Sequence, residues 1–380
     1  MQISIHDKLA EVDAAQWNVL VPGDAPFLRH EFLAGLEITG CVEPQTGWTP
    51  QHIVLRDSDT ADRIIGAVPL YLKTHSYGEY VFDWAWADAY RRSGLEYYPK
   101  LVAAVPFTPV TGPRILCARG EGTEVLQICI DAVQRHAQDL DVSSLHWLFT
   151  ELPETERLLQ CGLLRRVGTQ FHWHNRGYRQ FDDYLGALSA GKRKKIRRER
   201  RRVAEQDIQL EVLCGAALEP EHMDIFYRFY RSTIEQHGAI PYLQRAWFQH
   251  IRQTMADHIV LILAVKDGRS VAGALNFRGS TTLYGRYWGA TEWYADLHFE
   301  TCYYRAIQYC IDQGLTRFEA GAQGEHKLNR GLLPVTTYSA HWLRHPQFAA
   351  AISDYLHRET AGVAQYNEIL QAHSPYRREV

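Results

Sequence analysis

The 380-residue chain is 46% hydrophobic and 22% charged, and its 41 Lys and Arg nearly balance 44 Asp and Glu, for a formal net charge of -3. Length and composition predict two domains with sizeable cores and exclude a disordered chain; the near-neutral balance excludes polyanion binding by overall charge, so any such binding must rest on local clustering. Seven scattered cysteines lack CxxC or metal-ligand spacing, which suits a reducing compartment and argues against structural zinc. The N-terminal stretch has no basic segment followed by an apolar core, and no window approaches the roughly 18 apolar residues of a membrane span, so a cytoplasmic protein without such a span is expected.

In chain order, 2–6 predicts a strand, 13–20 a helix carrying Trp17, and 26–40 a helix with Phe27, Leu28, Phe32, Leu33 and Leu36 on one side. Strands at 51–55 and 63–73 flank DSDTAD, a turn-rich sequence that makes them a hairpin. The following stretch, 76–116, sets Glu79, Asp83 and Asp88 among Trp84, Trp86, Tyr90, Tyr97 and Tyr98. Ring faces and carboxylates both favour positive charge, so this box suits an amine-bearing ligand; a Trp-rich core edged by surface aspartates is the plainer reading. A helix over 122–140 and a strand over 144–149 complete a first unit near residue 165.

The second unit opens with His172 and His174 alternating on a strand, then a short helix at 181–188. From 192 to 202 come nine basic residues and one acid, Glu199. On a helix the bases would encircle it, and Lys192, Arg193, Lys194, Lys195, Arg197 and Arg198 are candidates for holding a phosphate-bearing donor or an RNA backbone; the plainer reading is a solvated helix. Helices follow at 222–237 and 245–255, then strands 259–266 and 270–278 joined by Asp267-Gly268-Arg269. Segments 62–67 and 268–274 occupy the same place after a hairpin turn, which points to a duplicated fold. Alternation predicts a strand over 283–289, three- and four-residue spacing a helix from near His298 to the Gly314 stop, and 316–320 a further strand. The tail from 346 reads as helical through Leu370.

After that last strand, 321–330 is too polar for a core and too varied for a plain solvated face, and such loops commonly carry sites. Amide formation needs a neutral amine, a proton acceptor and donors that steady an oxyanion. Glu319 or His298 is the expected proton acceptor, and Lys327 and Arg286 the expected electrostatic stabilisers. Tyr287, Trp288, Glu300, Tyr303, Gln323, His326 and Arg330 are expected to line the substrate path, and Cys302 and Cys310 to pack. Glu300 and His298 could instead serve only the helix N-terminus. The spacing of His298, Glu300, Glu319 and His326 matches no standard metal motif, and no G-x-S-x-G occurs.

The phrases PFLRHEFL, AVPLYLKTHSYGEYVFDWAWADAY, VPFTPVTGPR, FHWHNRGY, KRKKIRRERR, LYGRYWG, LHFETCYY and FEAGAQGEHK resemble the FemAB-like family of N-acyltransferases over nearly the whole chain. More remotely the chain is similar to the Fem-type peptidoglycan aminoacyl transferases. The resemblance implies an α/β (α+β) fold of two tandem acetyltransferase-like (GNAT) domains, each a mixed twisted sheet flanked by helices, here 1–165 and 166–345 with a helical tail 346–380. It also implies amide formation from aminoacyl-tRNA, with tRNA and an amine-bearing small molecule, peptide or glycan as partners and no permanently bound cofactor. The family's basic helix of R-x-x-I-x-x-A character is matched in part by 193–204, and its final-loop lysine by Lys327, although Gly331-Leu332-Leu333-Pro334 lacks the family's aromatic. Acetyl-CoA enzymes place a glycine-rich pyrophosphate loop where 289–298 is acidic and glycine-poor, which disfavours simple acetyl-CoA binding. The alternatives are acyl-CoA-dependent small-molecule N-acylation, a non-catalytic glycan-binding module using the aromatic box, and an RNA-binding protein using only the basic helix.

Overall fold

The computed structural model describes residues 1–58, 63–236, 238–321 and 324–377. Part of the expected 57–62 turn, His237 at the end of the expected 222–237 helix, and the candidate Gln323 lie outside the described residues. The chain divides into two units, Met1–Gly168 with Thr336–Gln365, and Thr169–Val335 with Tyr366–Val380. Residues 336–365, expected in the second domain and the tail, thus belong with the first unit. The cause is pairing and burial: 340–343 pair with 144–147, and Leu343, Ile352 and Leu356 close one apolar cluster with Trp86, Tyr90 and Tyr97.

In the first unit, Gln2–His6, His52–Asp57, Arg63–Val68 and Leu116–Cys117 form an antiparallel sheet. The strands Trp48–Pro50, Leu70–Lys73, Lys100–Ala103 and Ser144–Thr150 follow one another in a second, mixed sheet, with Lys100–Ala103 parallel to Ser144–Thr150. The single strand expected over 63–73 is therefore two strands in different sheets. They part at Pro69, which has no N–H for a ladder bond.

The second unit is built on Gln209–Cys214, Ile259–Lys266, Arg269–Arg278, Thr282–Ala290 and Arg317–Glu319, with residues 172–174 beyond. Lys266 pairs with Arg269 across Asp267 (φ 49°) and Gly268 (φ 72°), the two left-handed residues a tight hairpin requires. Thr282–Ala290 pairs in parallel with Arg317–Glu319, and this register ends at Tyr284 opposite Glu319. Thr282–Ala290 then runs on past the end of its neighbour. The helix Pro220–Gln236 packs against this strand, so close that a Cβ on Gly289 would sit 2.1 Å from the Phe229 carbonyl oxygen.

Behind the sheet, Trp173, Tyr184, Ile196, Leu283, Tyr304, Ile307 and Phe318 are buried in one cluster, each large apolar side chain contributing on the order of 2 kcal/mol. The helix expected from His298 spans Leu297–Phe299 and Arg305–Asp312, joined by a π-turn at Glu300–Tyr304, and stops before Gly314 at φ 66°. Mixed α/β architecture with twisted mixed sheets flanked by helices is the class the sequence predicts.

Candidate active site

Where Arg317–Glu319 ends, Thr282–Ala290 has no strand partner on that side among the described residues, and a cavity of about 230 Å³ opens. The strand contributes Gly285, Arg286, Tyr287 and Trp288, the helix His298, Cys302 and Tyr303, and the turn Glu325–Arg330 adds His326 and Lys327. Two backbone irregularities aim these side chains. Leu275 pairs with Tyr287 and Asn276 with Gly285, so Arg286 is the extra residue of a β-bulge, a device that re-aims side chains beside active sites. Cys302 and Tyr303 belong to the π-turn, a feature also frequent at functional sites.

Lys327 is 4% exposed, and its Nζ donates to the Gly321 carbonyl at 3.0 Å. Burial first, then the Arg286 guanidinium, bring its pKa down to about 8. Burial likewise pushes His298 down to about 4, helped by His326, Arg330 and Lys327, and lowers His326, so both imidazoles are neutral at neutral pH. The Tyr303 hydroxyl and His326 Nε2 are 2.9 Å apart. Burial raises the Cys302 thiol far above its ordinary range and keeps it protonated, in line with packing. Glu319 stands behind Arg286 and is not part of the cavity wall. Its carboxylate is 3.8 Å from Arg286, 3.4 Å from Arg317 Nε and 4.0 Å from His172 Nε2.

Other candidates are engaged elsewhere. Glu300, 6% exposed, accepts from Arg200 Nε at 3.1 Å. Arg330, 2% exposed, donates to Glu199 at 3.0 Å and to the His326 carbonyl at 2.9 Å, with its guanidinium 3.5 Å from the Phe299 ring centroid. Both belong to the seam that fixes the basic helix, Ala190–Ala204. The bases do not encircle that helix, because Ile196, Glu199 and Val203 form a buried stripe at helical spacing. Glu199 also accepts from the Tyr304 hydroxyl, and Lys192 donates to Asn329. Lys195 lies 3.7 Å from Glu199, Arg197 3.2 Å from Asp182 and Arg202 3.3 Å from Asp296. Arg193, Lys194 and Arg198 make no ion pair among the described residues, and Lys194 and Arg198 face solvent.

A family described as peptidoglycan biosynthesis/recognition, FemAB-like, matches residues 8–378. The chain belongs to the FemAB-like family. Membership supports an acyltransferase. No curated protein matches the sequence. Among solved structures, the C-terminal domain of a protein described as a lysylphosphatidylglycerol synthetase from Agrobacterium fabrum is 12% identical with TM-score 0.56, over 92% of this chain and 96% of that one. FemX is 12% identical with TM-score 0.56, over 93% and 100%. L-PGS from Bacillus licheniformis is 11% identical with TM-score 0.51, over 85% and 95%. At such identities these likenesses establish the fold alone. Among the described residues no helix is long and apolar enough to cross a membrane.

The aromatic box of this FemAB-like chain lies in its first unit and already holds a cation of its own. Lys100 Nζ donates to Glu79 at 2.8 Å, to Ser76 at 2.8 Å and to Asp83, with the Tyr97 ring centroid 5.5 Å away. Asp83 is therefore no surface aspartate: it is 2% exposed and also accepts from the Tyr97 hydroxyl at 2.7 Å. Burial works against its charge, but Lys100 holds its carboxyl below the usual range. Trp86 and Tyr90 face the apolar cluster, the partly exposed Trp84 stacks edge-on with Tyr77, and Asp88 pairs with Arg91 and Arg92 of its own helix. Lys100 thus stands between Glu79 and Asp83, the place that sequence reading offers to a ligand's cation.

Sequence reasoning missed Asn276, which is 1% exposed, lines the cavity and donates to the Val260 carbonyl at 3.0 Å. Its signal was present, a lone amide in the apolar strand SVAGALNFR. It also missed a second cavity of about 590 Å³ under the loop 290–297, walled in part by Trp288 and His298, which the first cavity shares.

Proposed function

We propose that this protein is an N-acyltransferase that joins an activated aminoacyl group, carried on tRNA, to an amine acceptor of the peptidoglycan-precursor class. The observation that carries this reading is Lys327, a buried amine whose pKa is drawn down to about 8, beside the fixed charge of Arg286 and the neutral imidazole of His298, in a cavity where two parallel strands part. A group with pKa near the working pH is the efficient proton carrier. The acceptor's nitrogen lone pair attacks the ester carbonyl carbon; the C–N bond forms and the carbonyl electrons move to oxygen, where Arg286 steadies the charge. Neutral Lys327 takes the proton from nitrogen. As the C–O bond to the carrier breaks, Lys327 returns that proton to the departing oxygen, so no covalent enzyme intermediate is required. Glu319 positions Arg286, and His298 orients the amine as a neutral hydrogen-bond partner.

Two features favour tRNA over an acyl-CoA donor. Lys194 and Arg198 are exposed on the basic helix, make no ion pair among the described residues and suit a phosphate backbone. The segment that would cradle a pyrophosphate carries Glu292 and Asp296, and the helix behind it has only Leu297–Phe299 before its π-turn.

The test offers purified protein charged tRNA and, separately, a panel of acyl-CoA thioesters, each with an amine acceptor, and scores amide product. Product from charged tRNA that falls when Lys194 and Arg198 are both changed to Gln supports the reading. Product from thioesters alone would overturn the donor, and no product from either would overturn the acyl-transfer reading.

A further inference from the structure

The two cavities that share Trp288 and His298 carry opposite charge. The smaller contains Arg286 and Lys327; the larger contains Glu292 and Asp296 and has no Lys or Arg in its described lining. Asp296 already has Arg202 at 3.3 Å, so Glu292, which accepts from the Tyr294 hydroxyl at 2.7 Å, is the carboxylate left for a ligand. Aromatic residues line the same cavity. Trp293 is 85% exposed, an unusual cost for so large an apolar side chain, and Trp288 supplies further ring surface, while Lys266 Nζ already lies 5.4 Å from the Tyr294 ring centroid and the Arg330 guanidinium 3.5 Å from that of Phe299. Carboxylate and ring faces together favour an organic cation. The bland alternative is a solvated loop whose aromatic residues only cover the helix below.

Resting on the acyl-transfer reading above, we infer that the larger cavity anchors a second, cationic nitrogen of the acceptor, one remote from the amine that is acylated. The acceptor class is a diamine, or a molecule that presents its two amino groups as one does. Opposite lining charges then sort its two ends. The ammonium is drawn to Glu292 and the rings, while the end entering the smaller cavity meets the fixed charge of Arg286. Neighbouring positive charge lowers the pKa of that amine and favours its neutral form, which is the nucleophile the reaction needs. A monoamine would have no such anchor.

The test measures binding of α,ω-diamines of three to six carbons and their monoamine counterparts to the full chain by calorimetry at pH 7, without any acyl donor. The expected result is that the best diamine binds about tenfold more tightly than its monoamine, and that Glu292→Gln and Trp293→Ala each remove most of that preference. Both side chains are exposed, and circular dichroism checks that the variants keep their fold. Equal affinity for diamine and monoamine, or a preference untouched by both substitutions, overturns the inference. A diamine preference in a protein that forms no amide with any donor would leave this site standing while the acyl-transfer reading fails. Amide formation with monoamines as efficient as with diamines would sink the site alone.

Discussion

Replacing Lys327 separates proton transfer from fixed charge. Lys327→Arg keeps the positive charge but cannot release a proton near neutral pH, so it should lose about 10² to 10⁴ in kcat/KM, much as Lys327→Met does. In the unsubstituted protein kcat/KM should rise with pH and level off above about 8, because the neutral amine is the working form. Stability supplies an independent sign. An unfolded lysine titrates near its ordinary 10.5, whereas folded Lys327 titrates at about 8, so below pH 8 the fold carries the full cost of burying this charge. That difference corresponds to about 3 kcal/mol at most, partly offset by the bond to Gly321 that the substitution removes. Lys327→Met is therefore expected to stabilise the protein by roughly 1 to 3 kcal/mol at pH 7, an advantage that shrinks as pH rises from 8 to 10.5. Denaturant unfolding at several pH values, run beside an initial-rate pH profile, measures both. An active Lys327→Arg, or a Lys327→Met less stable than its parent at pH 7 with no pH trend, would refute the reasoning.

Arg286→Met should lower kcat by about 10² to 10³ while changing KM little, since an oxyanion donor acts mainly in the transition state; a pure rise in KM would show that Arg286 only binds. Arg330→Met leaves Glu199 buried beside Tyr304 without its guanidinium, and thermal or denaturant unfolding should register a loss on the order of 3 kcal/mol. Gly289→Ala drives a methyl against the Phe229 backbone, and should cost about 3 kcal/mol or more by the same assay, with the helix Pro220–Gln236 losing amide-exchange protection first.

Elements with local causes were legible. The hairpin of Ile259–Lys266 and Arg269–Arg278 follows from Asp267-Gly268, whose residues accept left-handed backbone, and the site helix follows from apolar spacing that ends before Gly314. What escaped sequence reading were the irregularities and the partners distant in the chain. A bulge at Arg286 and a π-turn at Glu300–Tyr304 each insert one residue into a regular pattern, and a periodicity argument absorbs one residue without notice. Pro69 was the visible exception, since a missing N–H in a strand is written in the sequence itself.

The charged residues teach the same lesson more sharply. Polarity around 321–330 argued against a core, yet Lys327 and Arg330 are buried, and Glu199, far upstream, supplies the countercharge that makes burial of Arg330 tolerable. The aromatic box argued for a cation and has one, but it is Lys100 from the chain's own next strand. In both cases the sequence identifies the sign of the charge a place requires and leaves open whether the fold or a ligand provides it. The same test applied to Glu292 gives the opposite answer: its surroundings bring it a tyrosine hydroxyl, Arg202 is turned to Asp296, and the larger cavity lies open beside an exposed tryptophan. Glu79, Asp83 and Glu199 have their cation from the fold and are structural, whereas Glu292 makes no ion pair among the described residues and is where a ligand is to be sought.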